Sequence, residues 1–322
     1  MKLDSVGVIG LGFLGRGIAT SLLAAGLNVV VFDTRQEAYD EARTYIEEAF
    51  LEMARHDGSS SKAAESWQER YNASPSIDAL KSCAFVIESI LEDLGAKHRV
   101  FDEIETIVGE NVPIASNTSA LPITVLQRGR RFPSRFLGMH WAEPAYATRF
   151  LEIIRGEQTS EEALDATMAL ARRIGKDPCI VDQDIPGFIA NRLAYAMYRE
   201  AAYLLELGAG DVPTIDRAFR NACGLWATLC GPFRWIDITG GPALYAKAMT
   251  GVLPTLSNSG ELPAIFAEKQ SRGERGALDG RGFYSYEAGE AERWQKLLHE
   301  HAWEVRRLQQ RYYPLSGKRT DE

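Results

Sequence analysis

"SVGVIGLGFLGRGIAT" occupies residues 5–20, a short apolar run that breaks at once into Gly10, Gly12, Gly15 and Gly17. Glycine spacing alone is weak evidence, so context decides. Here the spacing follows a strand-like segment at 6–9 and opens a helix-period segment at 18–25 that Gly26 can end. In that setting Gly10 permits a tight turn, Gly12 keeps the backbone bare, and Gly15 lets helix pack close on strand. The helix start offers unpaired N–H groups and a positive dipole end to a phosphate, which makes Phe13 and Leu14, inside the glycine turn, cofactor-binding candidates with the glycines.

Reading outward, "LNVVVFD" at 27–33 is a second strand that ends in Asp33, 18 residues beyond Gly15. An acid there accepts hydrogen bonds from adenosine ribose hydroxyls and repels a 2′-phosphate, so the pattern predicts NAD rather than NADP. Arg35 argues the other way, because a nearby arginine can serve that phosphate. Further strand-like runs at 85–87, 114–116 and 136–140 alternate with helical segments, which predicts an α/β domain with a Rossmann-type, mostly parallel sheet.

Residues 37–54 read as one long charged helix, a Gly-Ser run interrupts at 58–61, and 62–71 reads as a second helix. The expectation is a helical hairpin inserted after the second strand. Two more strands follow at 151–154 and 179–181, and then Pro186-Gly187 breaks the chain. This places a boundary near Asp184, between a dinucleotide-binding domain at 1–184 and an all-α domain at 185–322. Amphipathic segments at 192–207, 212–221 and 243–249, with Trp226, Trp235 and Trp294, suggest that the second domain forms a homodimer.

A net charge of −8 over 322 residues argues against nucleic acid or anionic lipid as a partner. No signal-peptide architecture or membrane-length apolar run is present, so the cytoplasm is the expected location. Cys83, Cys179, Cys223 and Cys230 are scattered without metal-ligand spacing, which predicts reduced thiols and no metal site.

A bound dinucleotide needs a partner that moves a proton. His56, His299 and His301 read as solvent-facing, and His98 lies in a charged helical stretch. His140 ends a strand, where open sheets bind ligands, although a core histidine bonded to backbone fits that position equally. Glu152 flanks the next strand: it reads either as a surface acid or, through a hairpin-like return, as the group that orients the imidazole.

After the glycine turn come "SNTSALPI" (116–123), "GMHWAEP" (138–144), "LEII" (151–154) and "IPGFIANRL" (185–193), in that order. With these motifs nearly the whole chain resembles the L-3-hydroxyacyl-CoA dehydrogenase family. The likeness includes its 3-hydroxybutyryl-CoA branch and its relatives acting on free hydroxy acids, such as the L-gulonate dehydrogenase and λ-crystallin branch. The resemblance implies His140 as acid and base, Glu152 as its partner, Ser119 as a hydrogen-bond donor to substrate and cofactor, and Asn191 as part of the polar wall. It also implies that Glu92 and Lys97, from "LEDLGAK", lie in the cofactor cleft, and that Glu143 lies beside the nicotinamide.

The sequence departs from that family's pattern at Glu143, where acyl-CoA members carry asparagine in H-F-F-N-P. A carboxylate there disfavours an enolate-like thioester oxygen unless Arg149 or Arg155 compensates. Residues 224–241 look nearer the hydroxy-acid branches, and 277–279 lack a basic residue that some members carry. Arg43, Arg55, Lys62 and Arg70 are then the candidates to meet a CoA phosphate. The first expectation is an NAD-dependent 3-hydroxyacyl-CoA dehydrogenase. The alternatives are the same chemistry on a free hydroxy acid or hydroxymethyl compound, and a non-catalytic NAD-binding structural protein.

Overall fold

The computed structural model describes residues 3–57 and 66–316, and the chain divides into two compact units, Met1–Asn191 and Arg192–Glu322. The first is built on eight strands: β1 (Ser5–Ile9), β2 (Asn28–Phe32), β3 (Tyr71–Ala73), β4 (Phe85–Glu88), β5 (Ile114–Ser116), β6 (Phe136–Trp141), β7 (Leu151–Arg155) and β8 (Cys179–Val181). They form one sheet in the order β3-β2-β1-β4-β5-β6-β7-β8, parallel except for β6 against β7. Strands such as β4, FVIE, are buried along their whole length, as expected of a sheet covered on both faces. Strand order reverses at β1 and β4, which opens the ligand crevice of a doubly wound fold at their carboxyl ends.

Helix α1 (Phe13–Ala24) follows the glycine turn and ends at Gly26, whose φ of +75° admits the terminating turn. Helix α2 (Glu37–Asp57) buries Ala38, Ala42, Ile46, Ala49 and Met53, the spacing of one helical face, and packs on α1. The predicted second arm of the hairpin differs. Residues 58–65 lie outside the described set, α3 (Trp67–Arg70) is a single turn, and Tyr71 begins the edge strand β3 instead of ending a helix. Tyr71 pairs with Val29 of β2, a tertiary contact that overrides the local helical pattern, and its ring meets Trp67 edge-on at 5.8 Å.

Another part of the core lies under α4 (Leu94–Ile107), where Phe101 and Ile104 are fully buried and Phe101 meets Phe136 edge-on at 5.2 Å. Short α5 (Ile123–Gln127) and α6 (Glu161–Arg173) complete the first unit, α6 capped by Ser160 Oγ accepting from Ala163 N at 3.2 Å.

The second unit carries α7 (Ala190–Glu206, which begins just before it), α8 (Val212–Ala227), α9 (Pro232–Ile238), α10 (Gly241–Val252), α11 (Ala264–Ser271) and α12 (Glu290–Tyr312). Among its described hydrophobic side chains only Ala202, Cys230 and Trp303 are buried, while Phe233 is 82% and Leu225 71% exposed. Among the described residues no helix is long and apolar enough to cross a membrane.

Candidate active site

The glycine turn does what the spacing predicts. Gly10 has φ +89°, and a Cβ there would meet Ser89 O at 2.4 Å; one on Gly15 would meet Gly10 O at 1.8 Å. Gly12 faces open space, with nothing within 4 Å of an added Cβ, so its bare backbone is a cradle that a side chain would fill. The turn is held to the end of β2 by Gly10 N donating to Phe32 O at 2.8 Å and Leu11 N donating to Asp33 Oδ2 at 2.7 Å. Arg35 N donates to the other Asp33 oxygen at 2.8 Å, while the exposed Arg35 guanidinium stands 3.9 Å from Asp33 and 3.7 Å from Glu41. Phe13 and Leu14 flank the open helix end, and the whole arrangement fits a dinucleotide diphosphate.

Beyond the turn, fully buried Lys97 donates to Glu88 Oε1 at 2.7 Å and lies 3.4 Å from Glu92 Oε2. Glu88 also accepts from Ser116 Oγ at 2.6 Å and Ile90 N at 2.8 Å; sequence reasoning missed it, because a strand-end glutamate carries no motif of its own. Glu92 Oε1 accepts from Thr118 Oγ1 at 2.5 Å, Ser119 N at 2.9 Å and Ala120 N at 3.0 Å. Burial alone would raise the Glu92 pKa, but these bonds and Lys97 together hold it below the usual carboxylate range. Lys97 therefore acts through Glu92, which sets the 118–120 segment and with it Ser119. The Ser119 hydroxyl makes no hydrogen bond among the described residues, and Ser119 O accepts from Asn191 Nδ2 at 2.9 Å.

His140 and Glu152 are register partners on antiparallel β6 and β7. In a strand pair, directly opposed residues place their side chains side by side on one face, and His140 Nδ1 and Glu152 Oε2 meet at 2.8 Å. The ring is 8% exposed, flanked by Phe150 at 5.8 Å and Phe188 at 5.6 Å, and its Nε2 has no partner among the described residues. Glu152 Oε1 accepts from Ile189 N at 3.0 Å and Ala190 N at 2.8 Å, donors that no sequence pattern revealed. Burial pushes the Glu152 pKa up, but the His140 bond and these two N–H groups outweigh it and hold the carboxyl low. An ionised, fully bonded carboxylate behind one ring nitrogen leaves the other as a proton acceptor aimed away from it.

Glu143 is held from the side of α1 and α2: Tyr45 Oη donates to its Oε1 at 2.9 Å and Ala145 N to its Oε2 at 3.3 Å, beside Gly17. Of its expected compensators, Arg149 lies 3.3 Å from Asp177 and Arg155 pairs with Glu161. Among the candidates for a CoA phosphate, Arg43 stacks on Tyr71 at 5.8 Å, Arg70 donates to Ser66 Oγ at 2.8 Å, Arg55 is exposed, and Lys62 lies outside the described residues.

Two family models cover the chain: the NAD-binding domain of 3-hydroxyacyl-CoA dehydrogenase matches residues 5–185 and the C-terminal domain of the same enzyme matches 187–286. The chain belongs to the 3-hydroxyacyl-CoA dehydrogenase family. It is an NAD-dependent dehydrogenase. It is 32% identical, over 91% of its own length and 96% of the relative's, to 5-formyl-3-hydroxy-2-methylpyridine 4-carboxylate 5-dehydrogenase of Mesorhizobium japonicum. A crystal structure of an enzyme of that activity, described as an NAD+-dependent dismutase, superposes with TM-score 0.87 at 30% identity, covering 95% of this chain and 98% of the other. (S)-3-hydroxybutyryl-CoA dehydrogenase PaaH1 of Ralstonia eutropha superposes with TM-score 0.75 at 32% identity, covering 89% of this chain and 100% of that one.

Proposed function

We propose that this dehydrogenase interconverts a hydroxyl and a carbonyl group on a free, small organic acid, with His140 as the proton-transfer group. The observation that carries the chemistry is the 2.8 Å His140–Glu152 bond with Nε2 left unpaired. NAD supplies the hydride acceptor. His140 Nε2 takes the proton of the substrate hydroxyl in the oxidising direction and returns it in the reducing one. Glu152 fixes the tautomer that leaves Nε2 basic and stabilises the imidazolium. Phe150 and Phe188 limit water around the ring, while the Ser119 hydroxyl and the Asn191 amide supply polar contacts to the substrate oxygen.

The free-acid reading is supported by the relative acting on a pyridine carboxylate and by the higher TM-score to a structure of that activity, 0.87 against 0.75. Glu143 also departs from the acyl-CoA motif, and Arg43 and Arg70 are engaged within the protein. The acyl-CoA reading keeps the support of the Ralstonia enzyme, at 32% identity. NADH turnover with acetoacetyl-CoA, set against a panel of free hydroxy acids, hydroxymethyl compounds and carboxylated aromatic aldehydes, separates the two. A free compound is expected to give the higher kcat/KM; dominance of acetoacetyl-CoA overturns the free-acid reading.

We further propose a homodimer formed through the helical unit. Its exposed apolar side chains, Leu193, Leu225, Phe233 and Trp294 among them, support this reading, since contiguous apolar surface commonly marks an interface. Sedimentation equilibrium tests it: a monomer at micromolar concentration contradicts it. The four free cysteines fit a reducing compartment such as the cytoplasm.

A further inference from the structure

One side chain of the glycine turn is used neither by the acid–base pair nor by the backbone cradle. Arg16 stands four residues beyond the helix cap Gly12. Helical side chains lean toward the N-terminus, and the Arg16 guanidinium lies 5.6 Å from the Phe13 ring centroid, three residues earlier, and 4.7 Å from that of Tyr45 on α2. Its Nε is buried without a hydrogen-bond partner, and among the described residues the guanidinium enters no ion pair. Glu143, which shares Tyr45 with it, accepts from Tyr45 Oη at 2.9 Å and from Ala145 N at 3.3 Å. Tyr45 is kept protonated, its pKa raised by burial and by Glu143, so the same residue donates to that acid and stacks on Arg16.

A permanent cation, held between two rings and pointed back over the first turn of a phosphate-seating helix, lacks only its anion. We propose that Arg16 is a diphosphate-binding residue of the dinucleotide cleft, donating from its guanidinium to a phosphate oxygen at the open end of α1. The backbone N–H groups alone recognise shape and partial charge. Arg16 adds a full charge, and Phe13, 45% exposed, and Tyr45 hold it in place without neutralising it.

Fluorescence titration of NADH against wild type, Arg16→Gln and Arg16→Lys at low and high salt tests the proposal, with ADP-ribose and adenosine as competitors. Arg16→Gln is expected to weaken NADH and ADP-ribose by roughly 10- to 100-fold, the range of a charge-assisted hydrogen bond, and to flatten the salt dependence. Arg16→Lys should lose less, and adenosine, which carries no phosphate, should bind all three proteins alike. NADH and ADP-ribose affinities within twofold of wild type would overturn the proposal. So would an equal loss of adenosine binding, which would assign Arg16 to packing. Neither readout involves the organic substrate, so the result stands apart from the free-acid reading.

Discussion

The glycine turn and the His140–Glu152 pair sit on the same sheet and are built on opposite principles. At the turn, function comes from atoms that are missing: Gly12 is bare toward open space, and Gly15 leaves 1.8 Å between an added Cβ and Gly10 O. At the pair, the proposed function comes from atoms that are present, two side chains brought to 2.8 Å by the register of antiparallel strands. The first region therefore breaks when something is added and the second when something is removed.

The largest expected effect is at the turn. Gly15→Ala forces α1 away from β1, and NADH binding measured by fluorescence should fall below detection; retention of binding would show that the helix shifts without cost. Next, Glu152→Gln keeps the shape of the pair but removes the charge that stabilises an imidazolium. We expect kcat to fall by about 10²-fold, the low end of an acid–base contribution, with NADH affinity unchanged. Asp33→Asn should follow, weakening NADH by roughly tenfold through poorer bonds to ribose and to Leu11 N, and narrowing the preference over NADPH. Competitive titration of the two nucleotides checks this.

The smallest effect concerns pH and stability. The Glu152 carboxyl is held low in the folded chain, so its stabilising contribution is present above the usual carboxylate range and fades as pH falls through its folded pKa. The Tm difference between wild type and Glu152→Gln should thus shrink from pH 7 toward pH 3. A difference that stays constant would mean that the carboxylate charge contributes nothing to folding.

Much of this contrast is readable before folding, and for unequal reasons. The turn is local: Gly10, Gly12, Gly15 and Asp33 lie within one strand-helix-strand unit, so spacing alone carries their geometry. Strands buried on both faces announce themselves as apolar runs, whereas β3 has only one buried residue, Tyr71, which reads as the end of the preceding helical stretch. The pair is legible as two candidates, but its distance depends on a register that no local pattern states. The Ile189 and Ala190 N–H groups, the Glu88–Lys97 contact and the Tyr45–Glu143 bond each join residues 9 to 98 positions apart, beyond the reach of periodicity. Family resemblance supplied the pairing of His140 with Glu152; the unpartnered state of Arg16 emerged only from the packed side chains.

The most direct test of the acid–base pair is His140→Ala, assayed for turnover and NADH affinity in one preparation with the substrate that the panel identifies. The imidazole is expected to supply about 10²- to 10⁴-fold in kcat and nothing to nucleotide binding. Turnover within a few-fold of wild type, or NADH affinity lost together with activity, would contradict the claim that this side chain moves the proton.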